Sequence, residues 1–134
     1  MSTTRSFPIT RVLQDDDGTT HFEDGEIVTR ASGAIGFLSD AVDPANIVFR
    51  VTDGDYDYDW HPAPTRQFVL MLTGAIEITV GDGETRTIRA GETILLEDTR
   101  PPGHRTRNVG ETPRYSVFVA TDAAIPYRPG RSAS

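Results

Sequence analysis

Two histidines and one amide are the residues of this chain whose types and spacing could do chemistry. His61 and Gln67 lie within residues 60–74, at the start of an apolar run that ends on a glycine, and His104 closes the Pro-Pro-Gly-His sequence at residues 101–104. A lone histidine in a β protein is usually a packed or surface residue. Two imidazoles in one pocket, however, could transfer protons as general acid and base near neutral pH. The rest of the chain must then bring these two distant segments face to face.

Composition narrows the possible chemistry and the possible partners. The 134-residue chain has a formal net charge of −7, contains no Cys, and uses Arg for all 13 of its basic residues. Disulfides, thiolate metal sites, thiol nucleophiles and lysine Schiff bases are therefore excluded. The acidic balance argues against nucleic acid and against an anionic membrane as partners. Because the sequence has neither a membrane-length apolar run nor a hydrophobic signal segment, we expect one cytoplasmic domain.

Turn residues recur along the chain and no window has helical periodicity, which predicts an all-β sandwich or barrel. Residues 67–80 hold the clearest pair of strands, on either side of a glycine, with Gln67 and Met71 on one face of the first strand. The Gly-Asp-Gly sequence at residues 81–83 predicts a hairpin turn. Further strands are predicted at residues 19–29 (interrupted at Asp24-Gly25), 34–38, 47–52, 84–89, 93–96 and 115–120.

The two ends of the chain are predicted to lie outside the barrel. Residues 1–18 are polar and end in Asp-Asp-Asp-Gly, which predicts a loop-like N-terminal arm that is ordered only against something else, such as a neighbouring subunit. Residues 19–122 would form the barrel domain. The proline-containing residues 123–134 would form an extended C-terminal tail that ends in disorder.

Residues 53–60 alternate strictly between two residue classes. Four aspartates occupy one parity, and Tyr56, Tyr58 and Trp60 occupy the other, which predicts an extended strand with an acidic face and an aromatic face. We interpret the acidic face as a solvated edge that deters strand pairing, with cation binding as the alternative. The aromatic face would either line the mouth of a pocket, with Trp60 contacting substrate, or pack against a neighbouring sheet.

The segment around His61 resembles the first motif of small single-domain cupins, which are jelly-roll (double-stranded β-helix) proteins. That motif contains two histidines, an acid and a glycine. In this chain His61 stands at the first histidine and Gln67 at the acid, and Gly74 follows after six intervening residues. Ala63 stands at the second histidine.

The segment around His104 resembles the second cupin motif. Gly91 begins it, a Pro-Gly turn precedes His104, and Asn108 ends it, although the gap from Gly91 to His104 is two residues longer than usual. The resemblance covers about residues 55–120. It implies an antiparallel jelly roll that places both histidines at one pocket, and a homodimer built through edge strands and the N-terminal arm.

The resemblance also bears on metal binding. Cupins that hold Fe, Mn, Ni or Zn use two histidines and the acid of the first motif with the histidine of the second. Here the corresponding ligands would be His61, Gln67 and His104, because Ala63 replaces one ligand. A divalent cation prefers three or more protein donors, including negative charge. We therefore expect either no cofactor or a weakly held divalent metal ion.

Two adjacent carboxylates are further candidates for acid/base catalysis. Glu97 and Asp98 follow the apolar sequence Ile-Leu-Leu, at the expected lip of the pocket. Burial there can raise a carboxyl pKa and make it a general acid or base. Alternatively, either residue caps the following turn or pairs with a nearby arginine, and the sequence does not distinguish the two carboxylates.

The remaining candidate substrate contacts are Gln67, Met71, Trp60, Arg66 and His21. The Gln67 amide would orient a substrate or hydrogen-bond to His61. His21 would line the opposite wall of the pocket or lie at an edge or subunit contact. Arg66, together with Arg105 and Arg107, would clamp an anionic substrate or pair with surface acids.

Three functions remain open from the sequence. The preferred one is a non-redox lyase, isomerase or cyclase, for example in secondary metabolism. In it His61 and His104 shuttle protons, Gln67 and one of Glu97 or Asp98 position a small molecule, and the apolar barrel excludes water. The alternatives are a metal-dependent, dioxygenase-like cupin and a non-catalytic module that binds or senses a small ligand.

Overall fold

The computed structural model describes residues 5–130 of the chain. The strands, in chain order, are β1 (Phe7–Gln14), β2 (Thr20–Ile27), β3 (Arg30–Ala31), β4 (Phe37–Leu38), β5 (Asn46–Thr52), β6 (Asp57–His61), β7 (Gln67–Met71), β8 (Ala75–Thr79), β9 (Thr85–Arg89), β10 (Thr93–Leu96), β11 (His104–Val109), β12 (Arg114–Ala120) and β13 (Tyr127–Pro129). The helical structure of the described chain is one 3₁₀ turn, Gly33–Ile35. None of it is long and apolar enough to cross a membrane.

The strands form two principal sheets. The larger sheet has the order β13-β2-β1-β10-β7-β12-β5, and the smaller has the order β6-β11-β8-β9. The short strands β3 and β4 pair with each other. Neighbouring strands are antiparallel except β1 and β10, which are parallel.

The eight strands β5–β12 are wound as a jelly roll. Numbered from β5, the first, eighth, third and sixth strands are neighbours in the larger sheet, and the second, seventh, fourth and fifth are neighbours in the smaller one. The chain therefore crosses between the sheets at every step except the β8–β9 hairpin, as two Greek keys require. The predicted all-β, cupin-type double-stranded β-helix is confirmed by this strand order.

The core lies between the two sheets because inward-facing side chains alternate along each strand. In β7, Gln67, Val69 and Met71 are buried, and the residues between them are half-buried on the outer face. In β8, Ile76 and Ile78 point toward the same interior. Each such side chain contributes about 1.5–3 kcal/mol when it is fully removed from water. The predicted strands on either side of Gly74 are confirmed.

The prediction that residues 1–18 form a loop-like arm is wrong for β1. This strand lies inside the larger sheet between β2 and β10, and its Ile9 and Val12 are buried. Ile9 packs in a cluster on the outer face of the sheet and Val12 packs in the core between the sheets. With one apolar anchor on each face, β1 has no amphipathic alternation to identify it. Residues 1–4 of the predicted arm lie outside the described residues.

Strand β2 is continuous through Asp24-Gly25, where the sequence predicted an interruption. The glycine leaves room for the Tyr127 ring, because a Cβ there would lie 2.2 Å from the Tyr127 hydroxyl oxygen. Tyr127 belongs to β13, so the C-terminal segment is extended, as predicted, and pairs with β2. Residues 131–134, predicted to be disordered, lie outside the described residues.

Candidate functional site

A cavity of about 500 Å³ lies between the two sheets. Its walls are mainly apolar and include Val69, Ile78 and Phe118. The polar residues that line it are Arg50, Tyr56, Tyr58, His61, Gln67, His104, Thr106 and Arg114. A concave apolar space of this size, with a few polar groups, is typical of a small-molecule site.

His61 and His104 meet in this cavity. They are cross-strand partners in the β6–β11 pair, and their ring centroids are 4.6 Å apart with an interplanar angle of 56°. The Tyr58 ring stacks on the other side of His61 at 4.0 Å. The structure therefore brings together the two histidines that the sequence singled out.

A β-bulge in β6 determines which side chain of this strand reaches the cavity. His61 pairs with His104, whereas Tyr58 pairs with Thr106, so β6 carries one more residue than β11 between these two pairs. The extra residue reverses the inward parity, and both Tyr58 and His61 line the cavity although three positions separate them. Trp60, which alternation placed beside Tyr58, instead lies in an outer groove. Its predicted placement in the pocket is corrected.

Gly103 allows the two histidine segments to approach each other closely. Its φ is +78°, and a Cβ at this position would lie 2.0 Å from the carbonyl oxygen of His61. The Gly103 carbonyl also accepts a hydrogen bond from the buried Thr20 hydroxyl at 2.8 Å. The backbone before His104 is therefore fixed against β6 on one side and β2 on the other.

Asp98 holds His104 from behind. Its Oδ2 accepts a hydrogen bond from His104 Nδ1 at 2.5 Å, and the Asp98 side chain is completely buried. The other oxygen, Oδ1, is buried without a partner in the described chain. Since Nδ1 is occupied, Nε2 is the ring nitrogen that His104 can offer to a ligand. Asp98 does not itself line the cavity, so it positions His104.

His61 is set up as a neutral imidazole. Its Nδ1 lies 2.7 Å from the carbonyl oxygen of Asp59, which can only accept a hydrogen bond, so Nδ1 carries the proton. Burial lowers the His61 pKa, the bond to Asp59 opposes that shift, and nearby His104 lowers the pKa further. Nε2 of His61 is therefore a free acceptor. We call His61, His104 and Asp98 the imidazole site.

Gln67 and Met71 line the cavity on β7, as predicted. The buried Gln67 amide has no hydrogen bond to another side chain or backbone group of residues 5–130, so it is open to a ligand. The donors near the histidines do not fit a tightly held divalent metal. No group of three or more His, Asp or Glu suited to metal binding occurs in the described residues. Two imidazoles and one neutral amide supply no negative charge to a cation.

Glu97 and Arg66 do not reach the cavity, and their predicted placement there is corrected. Glu97 Oε1 accepts a hydrogen bond from Arg66 Nε at 3.0 Å, and Oε2 accepts one from Arg11 Nε at 2.6 Å. Arg66 also donates to the backbone carbonyls of residues 121 and 123. Glu97 and Asp98 therefore point to opposite sides of the chain after β10, toward a surface ion network and toward His104.

The other predicted candidates lie on the surface. His21 Nδ1 is 3.3 Å from Asp15 Oδ1, and His21 does not line the cavity. Arg107 pairs with Glu77 at 2.8 Å and Arg105 with Asp57 at 3.7 Å, the surface pairing that the sequence left open. These arginines face an outer groove that also contains Trp60.

Two arginines that no sequence pattern singled out line the cavity instead. Arg50 on β5 and Arg114 on β12 point inward, with the same parity as the cavity residues Val48 and Phe118. We call Arg50 and Arg114 the arginine site. Both arginines occupy inward-facing positions of their strands. For Arg114 this can be recognised only when β12 is known to begin at Arg114, one residue before the predicted strand at 115–120.

Comparisons with known proteins found structural neighbours but no matching family. No protein-family model matches the chain, and no curated protein matches it significantly. Protein NMB1881 from Neisseria meningitidis matches 60% of this chain and 79% of its own, with 22% identity and a TM-score of 0.44. The SPY1581 protein of unknown function from Streptococcus pyogenes matches 63% of this chain and 82% of its own, with 20% identity and a TM-score of 0.39. A putative ethanolamine utilization protein Q from Salmonella typhimurium matches 92% of this chain and 100% of its own, with 15% identity and a TM-score of 0.38. Likeness at this level carries no functional argument, so the fold rests on the strand order.

Proposed function

We propose that this protein catalyses a non-redox proton-transfer reaction on a small molecule bound in the cavity, as a lyase, isomerase or cyclase of the cupin type. The observation that carries the proposal is the imidazole site. A fully buried carboxylate holds one of two adjacent imidazoles, and that imidazole lines an apolar cavity. Purely structural histidines do not require this combination.

The proposed proton acceptor is His104. Its Nε2 takes a proton from a carbon next to a substrate carbonyl, and the imidazolium that forms is stabilised by Asp98 through Nδ1–H. The positive charge on His104 disfavours a second proton on His61. The pair therefore takes up one proton beyond its two Nδ1–H groups, and His104 returns that proton to another substrate atom.

Two further groups would position the substrate. His61 Nε2 accepts a hydrogen bond from a substrate O–H or N–H group. The Gln67 amide, which has no side-chain partner in the described chain, donates to the oxygen on which negative charge develops. The apolar walls exclude water, which strengthens both interactions. The chemistry is supplied by side chains alone.

Hydrogen–deuterium exchange tests the proposal with simple carbonyl compounds in place of the substrate. Wild-type protein is incubated in D₂O with acetone, phenylacetone or phenylpyruvate, and loss of the signal from protons next to the carbonyl is followed by ¹H NMR. We expect at least one probe to exchange faster than in buffer. His104→Ala should abolish this acceleration, whereas His21→Ala, which changes a histidine outside the cavity, should retain it.

Saturation-transfer NMR on the same samples reports whether each probe binds. Probes that bind to wild-type protein without accelerated exchange would contradict the enzymatic proposal and support the non-catalytic ligand-binding module. Equal acceleration by wild-type and His104→Ala protein would place the reactive group elsewhere.

We also propose that the protein forms a homodimer through β5. This edge strand of the larger sheet exposes Ile47, Phe49 and Val51 on its outer face, with Phe49 82% exposed. The sequence also predicted that an N-terminal arm contributes to the dimer interface. Both edges of β1 are paired inside the sheet, so β1 cannot add a strand to a partner. Light scattering should give twice the chain mass, and Phe49→Glu should give the monomer mass. A wild-type monomer would overturn the proposal.

A further inference from the structure

The arginine site lies on one cross-strand ladder of the larger sheet. In the β5–β12 pair, Arg50 is opposite Ser116 and Thr52 is opposite Arg114. All four side chains belong to the inward face, so the ladder presents two guanidinium groups and two hydroxyl groups to the interior. Thr52, Arg114 and Ser116 are buried and Arg50 is half-buried. Such a row of donors is unusual on the inward face of a sheet.

Arg114 is the more deeply placed of the two arginines. Its residue is 2% exposed, its Nε donates to Asn108 Oδ1 at 3.1 Å, and Nη1 lies 3.9 Å from Met71 Sδ. Within residues 5–130, no carboxylate forms a salt bridge with it. Burial lowers the Arg114 pKa and Arg50 lowers it further, but a guanidinium remains charged at neutral pH.

Arg50 also lacks a salt bridge and, unlike Arg114, has no side-chain hydrogen bond within the described residues. Its Cζ lies 5.4 Å from the Tyr56 ring centroid and 5.1 Å from that of Phe118. The Arg114 Cζ lies 5.6 Å from the same Tyr56 ring. Cation–π contacts offset part of the loss of hydration, but they supply no acceptor for the Arg50 N–H donors and no counter-charge for either guanidinium group.

The neighbouring hydroxyl groups are also unpaired, and no carboxylate lines the cavity. Thr52 Oγ1 and Ser116 Oγ are buried without hydrogen-bond partners in the described chain. No Asp or Glu is among the residues that line the cavity, although the chain as a whole carries a net charge of −7. The arginines of residues 5–130 that do form ion pairs form them with acids that lie outside the cavity. Within the described residues, Arg50 and Arg114 therefore have no anionic partner.

An uncompensated buried charge is expensive, and replacing buried ions with apolar residues often stabilises a protein. A fold that needed only packing at these positions would be served by Met or Leu. Two arginines on one cavity wall indicate a ligand that supplies the counter-charge. Planar guanidinium groups bind carboxylates in particular through paired hydrogen bonds.

We propose that the arginine site binds the carboxylate of a small apolar carboxylic acid, whose hydrocarbon body lies against the cavity wall and extends toward the imidazole site. This inference rests on the proposed function, because it names the substrate class of the same cavity. It adds that the carboxylate of the substrate binds at the arginine site and that a different group of the substrate reacts at the imidazole site.

The test compares each acid with its neutral, nearly isosteric amide. The probes are 3-phenylpropionate, 5-phenylpentanoate and 2-naphthoate with the corresponding primary amides, measured by isothermal titration calorimetry and thermal shift. At least one acid should bind about tenfold or more tightly than its amide, which corresponds to about 1.4 kcal/mol. Arg114→Met should remove this preference, and Arg105→Met, which changes a surface arginine, should retain it.

Further variants separate the possible failures. Arg50→Met provides a second test if Arg114→Met does not fold by circular dichroism, and it should also reduce the preference. His104→Ala should keep the preference for acids while losing proton exchange, so the binding and catalytic proposals fail separately. The inference is overturned if amides bind as well as acids, if both arginine variants keep the preference, or if no acid binds at millimolar concentration.

Discussion

The histidines of the imidazole site and the arginines of the arginine site line the same cavity, but the polar partners of the two sites differ. At the imidazole site each histidine has a hydrogen-bond partner within the protein: Asp98 for His104, and a backbone carbonyl for His61. At the arginine site, Arg50 and Arg114 contact aromatic rings, an amide and a thioether, with no carboxylate partner in the described chain. In the described chain, the buried charge of Asp98 faces His104, whereas the two arginines lack a counter-charge.

This difference suggests a division of labour. A catalytic group must be held in one orientation before the substrate arrives, so its supporting contacts come from the protein. A group that recognises a charge is most useful when its own counter-charge is absent, because the ligand then supplies it. Single substitutions can alter one side of this comparison at a time.

The largest effect is expected for Asp98→Asn. The substitution keeps the shape of the side chain but can reverse the hydrogen bond to His104 Nδ1, which moves the imidazole proton to Nε2. His104 could then no longer accept a proton from a ligand. Proton exchange with an active probe should fall by roughly 10⁴-fold, as when the corresponding carboxylate of a Ser-His-Asp triad is replaced.

Glu97→Gln is the matched control for this change. It alters the adjacent carboxylate, which binds Arg11 and Arg66 away from the cavity. Exchange should remain near the wild-type rate. A similar loss in both variants would mean that the carboxylates act through folding, and circular dichroism would show this.

The next largest effect is expected for Gly103→Ala, which separates the two histidine segments. Positive φ costs an L-residue about 1–2 kcal/mol, and the collision with His61 adds overpacking of about 1–3 kcal/mol. The free energy of unfolding should fall by roughly 3 kcal/mol in urea titrations. Gly83→Ala also has a positive φ but has nothing within 4 Å of its new Cβ, so it should lose only the smaller amount. Equal losses would show that close approach at Gly103 is unimportant.

Supplying the missing counter-charge should make the arginine site resemble the imidazole site. Met71→Glu places a carboxylate beside Arg114, because Met71 Sδ already lies 3.9 Å from Nη1. Compared with Met71→Gln, this variant should be more stable by about 1.5–3 kcal/mol, the range for hydrogen bonds between charged groups. It should also bind carboxylic acids poorly. If Met71→Glu is the less stable variant, Arg114 does not lack a partner.

The smallest effect concerns pH. The His61 pKa is lowered in the folded state, so below an unfolded value of about 6.5 the unfolded chain binds more protons than the folded one. Stability should be complete above that pH and should decline as the pH falls toward the folded pKa. The slope stays below the one-proton limit of about 1.4 kcal/mol per pH unit. His61→Asn should flatten this part of the stability curve; an unchanged curve would contradict the assigned neutral state.

Much of the fold could be predicted because its central strands are strongly apolar and are bounded by turns. Strand β7 is apolar on both faces apart from Gln67, β8 alternates, and a Gly-Asp-Gly turn separates β8 from β9. Strand β1 could not be found in this way, because its buried residues Ile9 and Val12 face opposite sides of the sheet. Pairing with neighbours, rather than its own pattern, makes this segment a strand.

The candidate site was predicted in part. His61, His104, Gln67 and Met71 all line the cavity. Asp98 could not be separated from Glu97, since the uniformly apolar sequence before them gives no indication of which face points inward.

The anion hypothesis named the wrong arginines. Proximity in sequence to the histidines favoured Arg66, Arg105 and Arg107, and all three pair with acids outside the cavity. The two cavity arginines lie on strands of the larger sheet, whereas both histidines lie on strands of the smaller one. Only the pairing of β5 with β12 brings Arg50 and Arg114 together, and no local pattern encodes that pairing.

The bulge before His61 has a consequence for how such a cavity can change. If β6 kept its length but paired regularly with β11 from Tyr58 onward, Trp60 would lie opposite His104 and His61 would turn away from the cavity. One extra residue in a strand can thus select which functional group meets the guest molecule, while every other strand keeps its place. A barrel of this kind can exchange the side chains of its interior without rebuilding its walls.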